Sequence, residues 1–289
     1  MSNTIELAKS FVPKLDECYR LASLTSVLDG APELAKQGAN ANELIIPMMS
    51  MDGLADYSRN GGYVQGGVTM TNETVKCNFD RGRRFDVDVM DDLETAGLAF
   101  GRLSAQFIRD KVVPELDAFR FASYCGISGV TKKEETLADG AATVAALSAA
   151  VTAMDDEEVT ATGRYLFITP PLLQGINDMD TTKSKKVLEG FERVIKVPQR
   201  RFYTAIKQLS GKTGEEAGGY TKAAGAANIN FAIVQKDALI QYTKHAAPKI
   251  IAPENNPDAD AYVFGYRMVG IAKAYKNMRG SPWATSNVM

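Results

Sequence analysis

The chain has 289 residues, 45% of them hydrophobic, and its 33 Lys and Arg against 35 Asp and Glu leave a formal charge of −2. That is enough apolar material for one large domain or two modest ones. The near-neutral balance, without a polybasic tail or a long like-charge block, excludes a dedicated nucleic-acid binder or membrane-surface protein, and three dispersed cysteines (Cys18, Cys77, Cys125) with no C-x-x-C pair exclude a disulfide framework or zinc knuckle.

The opening MSNTIELAKSF lacks the basic-then-apolar layout of a signal peptide, and no apolar run approaches the ~20 residues of a membrane helix, so folding in the cytosol is expected. Residues 1–50 read as an arm: a helical NTIELAKSFVPKLDECYRLASL broken near Pro13, a polar stretch, and a short strand ELIIPM. Residues 51–90 read as a long two-stranded hairpin, rich in Gly, Asn and β-formers, with Phe85, Val87 and Val89 alternating against Arg84, Asp86 and Asp88. Its outer part offers only Leu54, Ala55, Tyr57, Tyr63, Val64, Val68 and Met70 as apolar surface. An isolated hairpin is marginal in water, so some other surface must hold it down.

Asp91 to Glu94 form a capping box for the longest helical pattern in the chain, with Leu93, Ala96, Phe100, Leu103 and Phe107 on one stripe. Val112, Leu116 and Phe119 resume that stripe beyond a kink expected at Pro114. The carboxylates of Asp86, Asp88, Asp91 and Asp92 are explained by a solvated strand face and a helix cap, and no metal is assigned to them.

From residue 140 the pattern alternates α and β. Val144, Leu147, Val151 and Met154 mark a helix, RYLFIT a strand, and Pro171 a helix start; FERVIKV, RRFYTAIKQL and NINFAIV read as strands. Between them, QLSGKTGEEAGGYTK carries the Gly-Lys-Thr tail of a phosphate loop. The motif G-x-x-x-x-G-K-[ST] requires glycine five residues before Gly211, where Ile206 stands, and no helical period follows, so a mobile surface loop is expected. His245, the only histidine, is placed at the end of a short helix KDALIQYTKH, where no catalytic dyad or zinc site can be built around it. PENNPDAD reads as a turn before a long final strand.

Several stretches together resemble the major capsid proteins of tailed bacteriophages with the Hong Kong 97-type shell fold. They are LAKSFVPKLDECYRLASLTSVLD, DYSRNGGYVQGGV, DRGRRFDVDVMDDLET, FIRDKVVPELDAFRF, VIKVPQRRFY and PENNPDADAYVFGYRMVGIAKAY. The resemblance implies an α+β fold with an N-terminal arm (1–50), an extended hairpin or E-loop (51–90), a peripheral domain on a long spine helix (91–139 and 246–289) and an axial α/β domain (140–245). It implies a non-enzymatic shell subunit, without cofactor or metal, forming pentamers and hexamers of itself around double-stranded DNA that it does not read by sequence. Scaffolding, portal and decoration proteins are the further partners implied, with assembly in host cytoplasm and a final place in the virion. A compartment shell of the encapsulin type is the alternative.

Tyr57, Arg59, Tyr63 and Val64 are the expected inter-subunit contacts, with Arg81, Arg83 and Arg84 as salt-bridge donors to a neighbour. Because the arm begins almost at Met1, no long cleavable scaffold segment is expected. Some members of the family cross-link their shells through a hairpin lysine. Residues 52–75 contain no lysine, so a non-covalent shell is expected.

Overall fold

The structure, a computed structural model, describes residues 23–30, 36–37, 43–90, 98–179, 182–275 and 283–287. The expected N-terminal helix and the Asp91 capping box lie outside them. A short β1 (Lys36–Gln37) pairs with β2 (Glu43–Met51), which pairs antiparallel with β3 (Val68–Lys76) from Glu43↔Lys76 to Met51↔Val68. The hairpin is therefore built one strand earlier than expected. ELIIPM is its ascending strand and not part of the arm, and residues 52–67 are its tip. The descending strand continues past Cys77 and Asn78 into β4 (Phe79–Asp88), which leaves the hairpin to join another sheet. Apolar alternation in β4 was a correct strand signal, but its partner is supplied from the far end of the chain.

The spine follows as α1 (Leu98–Phe107), a π-helical turn Ile108–Val112 and α2 (Val113–Cys125), on the order of 40 Å in all. Where a kink was expected at Pro114, the helix changes register just before it. Val113 N–H donates to the Ile108 carbonyl, five residues back, and the wider turn accommodates a proline that has no N–H to give.

After β5 (Thr131–Glu134), helix α3 (Gly140–Asp156) starts at Asp139, whose side chain accepts from Ala142 N–H at 2.8 Å. Then come β6 (Arg164–Ile168), α4 (Pro170–Asp178), α5 (Thr182–Glu189), β7 (Arg193–Lys196) and the short pair β8 (Ile206–Gln208) and β9 (Tyr220–Lys222). RRFYTAIKQL keeps only its last part as strand; Gln199–Arg201 is a 3-10 turn. Next is β10 (Asn228–Gln235), and β11 (Leu239–Ile251) and β12 (Ala261–Ala274) pair along nearly their whole length, with β4 on the other side of β12. His245 thus stands in a strand, at a register shift opposite Val269, and not at a helix end. Continuous pairing with β12 overrides the helical spacing of KDALIQYTKH, of which only Lys236–Ala238 turns.

The closing strand β13 (Trp283–Asn287) inserts between β5 and β10, giving a five-stranded sheet in the order β5-β13-β10-β6-β7. The boundary expected at residue 246 therefore has paired strands running across it. β11 starts before that boundary, and the last strand returns to the sheet of residues 140–245, where it covers what would otherwise be a bare edge of β10. The central strands of that sheet, β6 and β10, are buried on both faces. In β6, Tyr165 and Phe167 join Phe121 of the spine and Phe202, which follows the Gln199–Arg201 turn, on one side, while Leu166 and Ile168 join Leu147, Phe231 and Ile233 under α3 on the other. Phe121 stands 5.1 Å from Phe167 and 4.7 Å from Phe202, ring to ring. A third core lies between the spine and the β4–β12 pair, around Ile108, Leu116, Phe79 and Phe264.

Candidate inter-subunit surface

Among the described residues the hairpin is anchored at its base, where Val75 packs with Ile240 and Ile271. Beyond that, opposite residues of an antiparallel pair share a face and so do residues two apart, which puts Met49, Met51, Val68 and Met70 on one side through Met49↔Met70 and Met51↔Val68. All four are more than half exposed, at 56%, 65%, 68% and 66%. Ser50 and Thr69 occupy the opposite face. The tip is shaped all the same: Asp52 accepts from Gly67 N–H at 2.7 Å, Ser58 and Gly62 exchange backbone bonds, and the Tyr57 and Tyr63 rings sit 4.9 Å apart. Leu54, Tyr57, Tyr63 and Val64 are exposed there, as is Arg59. The structure thus brings Tyr57, Arg59, Tyr63 and Val64 together on one projecting element.

The three arginines of β4 are placed differently. Arg81 donates to Glu115 on the spine at 2.8 Å and to the Leu209 carbonyl at 2.7 Å; Arg83 donates to the Glu216 carbonyl at 2.9 Å; Arg84 pairs with its own strand neighbour Asp86 at 2.8 Å. Arg81 and Arg83 therefore hold the glycine-rich loop of their own subunit, a use that the sequence reading had given to a neighbour. Burial raises the pKa of Glu115, and the adjacent Arg81 guanidinium opposes that rise.

The surface loop expected here carries internal bonds of its own. Residues 209–219 close the β8–β9 hairpin through Leu209 N–H to the Gly219 carbonyl at 2.8 Å. Glu215 pairs with Lys207 at 2.7 Å and accepts from Ser210 N–H at 2.7 Å, bonds that bring its pKa down to about 2. Gly218 has φ +63°, a left-handed backbone that favours glycine, and the Arg83 guanidinium lies over it, where a Cβ would displace it. A strand, not a helix, follows the loop. Between loop, spine and β4 lies an open cleft of about 1050 Å³, walled by Phe85, Phe107, Tyr266, Arg81, Arg83 and Glu115.

Sequence reading missed a buried polar cluster on the spine. Asp117, wholly buried on the spine, accepts from Ser23 Oγ (2.9 Å), Leu24 N–H (3.1 Å), Thr25 N–H (3.3 Å), Thr25 Oγ1 (2.7 Å) and Arg201 (3.2 Å). One turn on, Arg120 donates to Thr25 Oγ1 at 2.9 Å, to Asp29 at 3.1 Å and to Thr243 at 3.3 Å. Gln241 joins from β11, donating to the Thr25 carbonyl and to Asp29 at 2.7 Å each and accepting from Tyr124. With Leu28 buried in the core beside Phe121, residues 23–30 are clamped across the spine.

Among the described residues no His, Cys, Asp or Glu cluster is arranged to hold a metal, and no helix is long and apolar enough to cross a membrane. No protein-family model matches the sequence, and no curated protein matches it. Solved structures do. The mature capsid of bacteriophage PhiM1 is similar at 9% identity and a TM-score of 0.59, over 86% of this chain and 82% of that one. The capsid of cyanophage P-SCSP1u is similar at 11% identity and 0.56, over 88% and 85%. The virus-like particle from Pyrococcus furiosus is similar at 10% identity and 0.55, over 93% and 98%. The chain has the Hong Kong 97-type α+β shell fold of these capsid structures.

Proposed function

We propose that this chain is a major capsid protein, copies of which close as pentamers and hexamers into the icosahedral head of a tailed bacteriophage around its double-stranded DNA. One observation carries the reading beyond the fold: the distal hairpin exposes methionine, valine, leucine and tyrosine side chains that join none of the cores formed by the described residues. Large apolar groups on a projecting element are stabilised by a neighbour, and one patch meeting a different patch on the next copy generates rings and shells. A subunit tied to several neighbours leaves only when all contacts break together, so modest interfaces suffice. A net charge of −2 lets copies crowd together and does not grip the packaged DNA.

In this reading the subunit has no catalytic role. Its parts act as arm, E-loop, spine-bearing peripheral domain and axial domain, with scaffolding, portal and decoration proteins as further partners in the cytoplasm of the host and in the virion. Tyr57, Arg59, Tyr63 and Val64 contact a neighbour, and Arg84 is the β4 arginine best placed to do so, because Arg81 and Arg83 are used within the chain.

The test is to delete residues 58–68 and follow sedimentation, electron microscopy and circular dichroism. A folded, soluble subunit that no longer forms shells is expected; shells of normal size, or a lost folded spectrum, would count against the reading. The virus-like particle of Pyrococcus furiosus shares the fold, so a compartment shell remains the second reading. Nuclease-protected DNA inside native particles favours the head, and an enclosed enzyme favours the compartment.

A further inference from the structure

Three of the four side chains on the exposed hairpin face are thioethers, where strands ordinarily carry β-branched or aromatic residues. Methionine is flexible and polarizable, so a face built of it can repack against neighbours that differ slightly in geometry, as positions around unlike symmetry axes do. The same chemistry is a liability. An exposed thioether is open to two-electron oxidation, and Met49, Met51 and Met70 are more than half exposed in the lone subunit, whereas Met154 and Met268 are wholly buried.

We propose that Met49, Met51 and Met70 form a peroxide-sensitive modification site, and that their conversion to sulfoxides blocks docking of the hairpin face on a second copy of the chain. The inference rests on the shell reading, which supplies the second copy. The sulfur lone pair attacks one peroxide oxygen, an S–O bond forms as the O–O bond breaks, and water leaves after proton transfer. Sulfur is oxidised by two electrons and hydrogen peroxide is reduced. Each sulfoxide places a strong acceptor dipole in a patch of Met49, Met51, Val68 and Met70 that carries no donor side chain of its own, so covering it against an apolar partner surface leaves the dipole unpaired. Because Met49 and Met70 are direct cross-strand partners, two such dipoles lie side by side in the patch. Once the face is covered in a shell, the sulfurs are shielded, so sensitivity belongs to the free subunit.

The experiment treats free full-length subunits with hydrogen peroxide, maps sulfoxides by peptide mass spectrometry and measures the concentration needed for assembly. Met49, Met51 and Met70 should oxidise with Met90, which is also exposed, while Met154 and Met268 stay reduced. Oxidised subunits should need at least about tenfold more protein to assemble. Methionine sulfoxide reductases of both stereospecificities should restore assembly, and Met90→Leu should leave the peroxide effect intact. The triple variant M49L/M51L/M70L, which keeps apolar bulk without sulfur, should assemble and resist peroxide. Subunits fully converted at the three positions that assemble normally, or that reductase does not rescue, overturn the inference while the shell reading stands. Untreated subunits that form no shells remove the shell reading, and this inference with it.

Discussion

Replacing Asp117 by alanine tests how the arm is held. The carboxylate is fully buried and accepts from five donors, four of them on Ser23, Leu24 and Thr25 and the fifth on Arg201. Removing it strands those donors in the interior and leaves the Arg201 guanidinium, itself largely buried, without its carboxylate. Breaking a buried pair by deleting one partner costs about 3–5 kcal/mol. Measured against a typical total of about 5–15 kcal/mol, that is a large fraction. Thr25→Val is the scale bar: it removes one hydroxyl shared by Asp117 and Arg120 and should cost about 1–2 kcal/mol. In urea the first change should lower the midpoint by about 1 M or more and the second by a third of that. Limited proteolysis should find new cleavage within residues 23–30 of Asp117→Ala before the body unfolds. Equal midpoints for wild type and Asp117→Ala, with the same digestion pattern, would refute the clamp.

Three other outcomes follow from the same geometry. Burial pushes the Cys125 thiol up to about 12, so it should resist iodoacetamide near neutral pH until the protein unfolds. The unfolded thiol ionises first as pH rises past about 9, so stability should fall between there and about 12. Arg81→Ala removes the cation that opposes the raised pKa of Glu115. A carboxyl raised in the fold holds its proton more tightly than in the unfolded chain, so stability lost on raising the pH from about 4.5 to 7 should be steeper in the variant; a flat difference would discount the pair. Particles boiled in SDS should release a single 31.3 kDa subunit. Lys76 stands at the hairpin base opposite Glu43 and residues 52–75 have no amine to offer, so a ladder of covalent oligomers would overturn this.

Sequence sufficed wherever local pattern and final environment agree. NINFAIV is buried from Ile229 to Val234, and a run apolar on both faces identifies a central strand without knowledge of its partners. The tip was legible for the opposite reason: its glycines and few apolar residues cannot make a core. Two kinds of feature escaped. KDALIQYTKH suits a helix locally, and only β12, arriving from residues 261–274, makes it a strand. Asp117 and Arg120 look like ordinary polar positions on a long helix, because the partners they bond, on residues 23–29, Arg201 and β11, are distant in sequence. Residues 43–51 carry no signal that their pairing runs forward, across the tip, to residues 68–76, and so they read locally as part of the arm.

The hairpin can serve a neighbour only if its angle to the body is fixed, and the two residues between β3 and β4 show how that is achieved. A projecting ribbon with a loose root would lose, in ordering entropy on docking, much of what its apolar face gains. Asn78 removes that freedom. Its side-chain amide donates to the Ala272 carbonyl at 3.0 Å and accepts from Ala272 N–H at 3.0 Å, while its own N–H donates to the Gly270 carbonyl at 3.2 Å. The side chain thus makes the paired bonds that a strand's backbone would make, where the chain passes from one sheet to the next. Val75 just above it is buried against Ile240 and Ile271, and Phe79 just below it enters the spine core. The root is thereby stapled on both sides of the crossover, and the exposed methionine face is carried at a set direction by a rigid base. Preorganisation of this kind allows a patch of a few side chains to bind repeatedly without folding anew at each contact.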